Sequence, residues 1–181
     1  MEATDRKGAD SPLVGVGSFG LMLFQVALSV LFASTVVATW YFRDQAAAWS
    51  DSRPSLPVGL WVATAMLGFL SYFAEQGARR SARGHGASAH RAILAAGACA
   101  LIFLAAQTWN WSELLAHRPR GEHISFYEFN FYLLTLLHAF HVLGGMVYLV
   151  LALLQAKSAA PRAAGMARLN AAYWHFLAGV W

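Results

Sequence analysis

Charged residues divide this chain into long apolar stretches. None lies between Asp10 and Arg43, between Arg53 and Glu75, between Arg91 and Glu113, or between Glu128 and Lys157. Those gaps hold 32, 21, 21 and 28 residues, and a helix needs about 20 to cross the hydrocarbon core of a bilayer. A fifth gap, from Arg168 to Trp181, holds 13, about 20 Å of helix at about 1.5 Å per residue, too short to cross. The apolar runs are continuous, unlike the alternating segments of a membrane barrel. The pattern therefore predicts an all-α polytopic membrane bundle with five transmembrane helices, over about 18–42, 55–76, 91–113, 127–156 and 168–181. The last is expected to be cut short, because the sequence stops on Gly179-Val180-Trp181 with no cap, charge or turn signal.

Residues 1–12 are polar and mixed in charge and are expected to form a disordered tail ahead of a single bundle over 13–181. The tail includes acids, and the apolar stretch behind it is long, so the first span is expected to be retained and not cleaved as a signal peptide. The Gly/Ser/Ala-rich stretch 81–88 is expected to be a flexible turn.

Composition points the same way. Hydrophobic residues make up 58% of the chain and charged residues 12%, about half the share in a soluble domain. Cys99 is the single cysteine, which excludes an intrachain disulfide scaffold. The formal charge of +4 is spread unevenly. Nine Lys and Arg fall in the N-terminal tail and in the second and fourth connections, against four in the first and third. That asymmetry is expected to orient the N-terminus to the cytoplasm and, with five spans, the C-terminus outside. Membrane topology thus accounts for the basic clusters, and no nucleic-acid partner is expected. The loop carrying Arg79 to Arg91 is expected to meet lipid headgroups. Trp40, Tyr41, Trp49, Trp61, Trp109 and Trp111 fall where an outer aromatic belt would.

Polar residues inside apolar helices should face protein or water. Gln107 and Asn110 lie three apart on one face, and Thr135, His138, His141 and Gly145 follow at steps of 3, 3 and 4 on a single stripe. His175 stands next to Trp174, and Glu75 is placed to pair with Arg79 one turn later. Two readings of the histidines stay open. One is a metal or haem site using His138, His141 and His175, since neutral imidazole suits zinc, copper and iron. The other is packing, with Thr135, Gln107 or a backbone carbonyl as partners, beside Gly144 and Gly145 where helices could approach closely. Catalytic zinc usually draws on three protein ligands, and di-iron bundles on several carboxylates. The charge-free stretches supply no carboxylate, which also counts against a proton relay. Ser29, Ser34 and Ser71 lack a Gly-x-Ser-x-Gly setting, and Cys99 sits among small residues as a packing residue. The glycines over 15–20 have neither a preceding strand nor a P-loop lysine.

Three segments are more specific. Phe-Tyr-Leu-Leu-Thr-Leu-Leu-His-Ala-Phe-His-Val-Leu-Gly-Gly over 131–145 resembles the fourth-helix signature of subunit III of the haem–copper oxidases, in their shorter five-helix form. Tyr-Trp-His-Phe-Leu-Ala-Gly-Val-Trp over 173–181 is similar to that family's final-helix motif, and Phe-Leu-Ala-Ala-Gln-Thr-Trp-Asn-Trp over 103–111 to its third-helix ending. The resemblance implies a non-catalytic subunit with no cofactor of its own. It would pack against the haem- and copper-bearing catalytic subunit I and other oxidase subunits and hold phospholipids between its helices. It also implies lipid or subunit contacts for Thr135, His138, His141, Gly145, Arg168 and His175, with Arg168 and His175 together at a phospholipid phosphate. Departures are visible: Leu28, Asn110 and Ala178 stand where the family carries acids, and Leu136 and Ala139 where it has glycines. They suggest a divergent member, and a partner that is a nitric oxide reductase is the alternative. A stand-alone haem or metal enzyme built on the three histidines is the other.

Overall fold

The computed structural model describes residues 12–45, 58–116, 126–156 and 161–181. Five helices make up the fold: α1 (Pro12–Gln45), α2 (Gly59–Ala82), α3 (Gly86–Ala116), α4 (Phe126–Gln155) and α5 (Pro161–Val180). Among the described residues there is no strand. Three stretches, Gly17–Tyr41, Gly86–Ala116 and Glu128–Gln155, are long and apolar enough to cross a membrane, so the chain is a membrane protein by length and composition.

Helices α2, α3, α4 and α5 form a closed ring in which each packs on the next, and α1 lies outside it against α5 and α4. Direction alternates around the ring. Gly59 faces Asn110 and Gly77 faces Ile93, so α2 and α3 run antiparallel. Trp111 bonds Thr135 while Gly97 faces Leu149, and Trp181 bonds Thr64 while His175 meets Ser71. The α3–α4 and α5–α2 pairs are therefore antiparallel too.

The tightest seam is α2 on α3. Ala63, Leu67, Leu70, Ala74 and Gly77 recur at steps of four and three along α2, opposite a similar row on α3 rich in alanine. Small residues at that spacing let two backbones approach closely, which is how helices associate where no hydrophobic drive separates protein from lipid. Much of α1, by contrast, keeps large apolar side chains outward, among them Phe19, Val30, Val37 and Trp40.

Several helix ends differ from the sequence expectation in the same way: they run past the charges that bounded the apolar gaps. α2 continues through Glu75, Arg79 and Arg80 to Ala82, and α3 begins at Gly86, ahead of Arg91. α5 opens at Pro161, a residue pre-set for the first helical position, and takes in Arg162 and Arg168. Its 20 residues reach about 30 Å, so the fifth helix is longer than the 13-residue gap implied. Charge ends an apolar run without ending a helix, because arginine is a good helix former.

The turn expected over 81–88 is confined to the few residues between Ala82 and Gly86. The amides of Gly84 and His85 bond the carbonyls of Ser81 and Arg80, at 3.0 and 2.9 Å. That is a Schellman pair, and it needs the left-handed backbone that Gly84 supplies at φ 75°. Of the tail expected over 1–12, Pro12 opens α1 and the remainder lies outside the described residues.

Candidate functional site

Two polar regions stand out, one inside the ring and one in a cleft between α2 and α5. The inner one is the α4 stripe. Thr135 accepts a hydrogen bond from Trp111 Nε1 at 3.0 Å and donates to the Phe131 carbonyl at 2.7 Å. Trp111 is thus turned toward α4, while Trp40, Trp61 and Trp109 remain outward as a belt would have them; Trp49 lies outside the described residues.

His138 is 1% exposed, and neither ring nitrogen has a hydrogen-bond partner among the described residues. Phe32, Phe103 and Trp181 surround it, with ring centroids at 6.2, 5.6 and 4.8 Å. It borders a cavity of about 240 Å³ with Leu60, Leu134 and Val180. Gln107 and Asn110 are also fully buried, with no partner for their amide atoms among the described residues.

One turn further along α4, His141 Nδ1 donates to the Leu137 carbonyl at 2.6 Å, and its ring meets Phe24 and Phe32 of α1. The His141 carbonyl accepts from the Tyr173 hydroxyl at 2.7 Å. Gly145 provides the seat for α5: a Cβ there would stand 2.5 Å from Tyr173 Cε1 and 2.8 Å from Trp174. The stripe is therefore turned toward the chain's own α1, α3 and α5. Thr135, His138 and Gly145 are buried, and Thr135 and His138 line the cavity beside Leu60.

His175 points elsewhere. Its Nδ1 lies 2.5 Å from Ser71 Oγ and its Nε2 3.2 Å from Glu75 Oε2. A neutral imidazole protonated on Nε2 satisfies both contacts, with Ser71 donating to Nδ1. The other Glu75 oxygen, Oε1, accepts from Arg79 Nε at 2.6 Å, as the four-residue spacing predicts. Glu75, Arg79, Arg168 and His175 share the wall of a cleft of about 350 Å³, floored by Ala78, Ala171 and Ala172. Arg168 and His175, which the resemblance brought together, thus border one cleft, and Arg168 has no ion-pair partner among the described residues. Ser71 and Glu75 as partners of His175 were not read from the sequence. The available signal was their four-residue spacing with Arg79, which puts all three on one face of α2.

The three histidines do not assemble a ligand set. His138 stands among aromatic rings near Trp181, whereas His175 is held from α2 at Ser71 and Glu75. Among the described residues no three His, Cys, Asp or Glu side chains come together to hold a metal.

The fold and these sites define an all-helical membrane bundle with a polar interior and a charged cleft. No protein-family model matches the chain, and no curated protein matches it.

Proposed function

We propose that this chain is a non-catalytic, subunit III-like component of a respiratory haem–copper terminal oxidase. In this reading all five helices span a bacterial inner membrane, with the N-terminus cytoplasmic. The chain stabilises the catalytic subunit, which carries the haem and copper, and holds phospholipid at the boundary.

One observation carries the reading. The segments that resemble the family's fourth and final helices pack directly on each other: Gly145 of the first accommodates Tyr173 and Trp174 of the second. Two motifs separated in sequence thus form one interlocked surface. The cleft supports the lipid role. Arg79, Arg168 and His175 gather at the ring end that also bears Arg80, Arg83 and Arg91. Guanidinium groups suit a phosphate.

The test is affinity purification of the tagged full chain from its host membrane, followed by haem and metal analysis of both the complex and the chain alone. A haem–copper catalytic subunit should co-purify, and the chain alone should carry no haem or metal. Co-purification of a nitric oxide reductase instead would move the chain to that complex. Stoichiometric haem on the isolated chain, lost in His138→Ala or His175→Ala, would make it a metalloprotein in its own right.

A further inference from the structure

The α2–α5 cleft contains its own anion. Glu75 spends one carboxylate oxygen on Arg79 and the other on His175, so it engages two of the three groups that could bind a phosphate there. Arg168, the third, has no ion-pair partner among the described residues. The Glu75 side chain is about one-third exposed, so its carboxylate is within reach of an incoming anion.

We infer that Glu75 is a displaceable internal counter-ion: a phosphate-bearing anion enters beside Arg168 and takes Arg79 and His175 from the carboxylate. This rests on the phosphate reading of the cleft given above and adds its regulation. A carboxylate and a phosphate present the same kind of oxygen to a guanidinium, and both form charge-assisted hydrogen bonds with it. With Glu75 ionised, one of the two guanidinium charges is cancelled. Removing the carboxylate leaves both for the ligand. Binding is then set by competition between two anions, so the cleft holds its ligand exchangeably and discriminates against groups too weakly charged to displace Glu75.

The experiment titrates the full chain in detergent with phosphatidylglycerol, using phosphatidylcholine as the zwitterionic control and counting retained lipid by native mass spectrometry. A parallel arm adds inorganic phosphate as a competitor. Glu75→Gln should bind phosphatidylglycerol about fivefold more tightly than the parent, the order expected for one unit charge at a headgroup. Glu75→Asp, which withdraws the charge by one methylene, should tighten it less and carries the test if Glu75→Gln does not fold. Arg168→Gln should weaken binding in both backgrounds.

Competition by inorganic phosphate would assign the site to free phosphate, and its absence to a lipid headgroup; in either case tighter binding by Glu75→Gln is the result that supports the displacement. If Glu75→Gln and Glu75→Asp bind no more tightly than the parent while Arg168→Gln still weakens binding, the displacement is overturned and the phosphate cleft stands. If the parent shows no preference for phosphatidylglycerol, no competition by phosphate and no dependence on Arg168, the phosphate reading fails with it.

Discussion

Gly145 and Gly144 are neighbours on α4, and the structure separates their fates. A methyl at Gly145 would meet Tyr173 Cε1 at 2.5 Å and two Trp174 ring carbons at 2.8 Å. Neither ring can swing clear: Trp174 is fully buried with its indole N–H on Asn170, and Tyr173 is anchored by its hydroxyl on the His141 carbonyl. Over-packing of this kind costs roughly 1–3 kcal/mol. The better helix propensity of alanine returns up to about 1 kcal/mol. Gly145→Ala should therefore lose about 1–2 kcal/mol. A methyl at Gly144 finds its nearest atom, the Tyr173 hydroxyl oxygen, at 4.0 Å, so Gly144→Ala keeps the propensity gain without the clash. The two variants should differ by about 2 kcal/mol, or roughly 4–8 °C in melting temperature for a chain of this length. Cys99, buried and the single cysteine, provides the assay: a thiol-reactive fluorophore in detergent reports unfolding as the thiol becomes accessible. If Gly145→Ala melted with Gly144→Ala, the α4–α5 seat described here would be wrong.

His138→Phe should be neutral or mildly stabilising, because it removes two buried nitrogens that have no partner among the described residues and keeps a ring among rings. His138→Ala should destabilise the chain itself by about 2 kcal/mol or more through lost packing, readable by the same thermal assay before any complex is formed. Trp111→Phe deletes the Trp111–Thr135 bond between α3 and α4 and should cost about 0.6 kcal/mol, near the mean for such bonds in membranes; Thr135→Val added to it should cost less than on the parent. Gly77→Ala places a methyl 2.6 Å from Ile93 Cγ1, and its melting temperature should fall as that of Gly145→Ala does. In a Cys99→Ala background, Arg83→Cys should label with an impermeant maleimide from the cytoplasm and Trp61→Cys from the opposite face; labelling of both from one side would refute the proposed orientation.

The helices were legible because a long charge-free run marks each of the first four: the gap over 92–112 lies wholly within α3, and most of each of the other three is helical. The ends were less legible, for a physical reason visible in α5. Arg162 and Arg168 sit inside that helix, because arginine has good helix propensity. Counting residues between charges measures the length of an apolar run, not the length of a helix. The same holds at the turn between α2 and α3, where 81–88 looked loose by composition. Its small residues mostly continue the two helices, and Gly84 alone has the special backbone.

Candidate site residues divide by how far away their partners lie. Glu75–Arg79 was readable, since a four-residue step fixes the pair within one helix. The Thr135–Gly145 stripe was readable as a stripe, but not what it faces: α4 touches α1, α3 and α5, and one polar face could serve any of them or a partner. His175 posed the harder problem. Its partners Ser71 and Glu75 lie about a hundred residues earlier, and nothing local in α5 selects α2 over α4. That choice follows from the order of helices around the ring. Because α2 closes the ring against α5, Arg79 and Glu75 of α2 meet the imidazole and Arg168 of α5 across one cleft. Had the ring closed in another order, the same side chains at the same spacings would have left Glu75 with Arg79 alone and His175 without an anion. The chemistry of the cleft is thus a property of the α2–α5 closure, and substitutions that loosen that closure should weaken it without touching any of its charged groups.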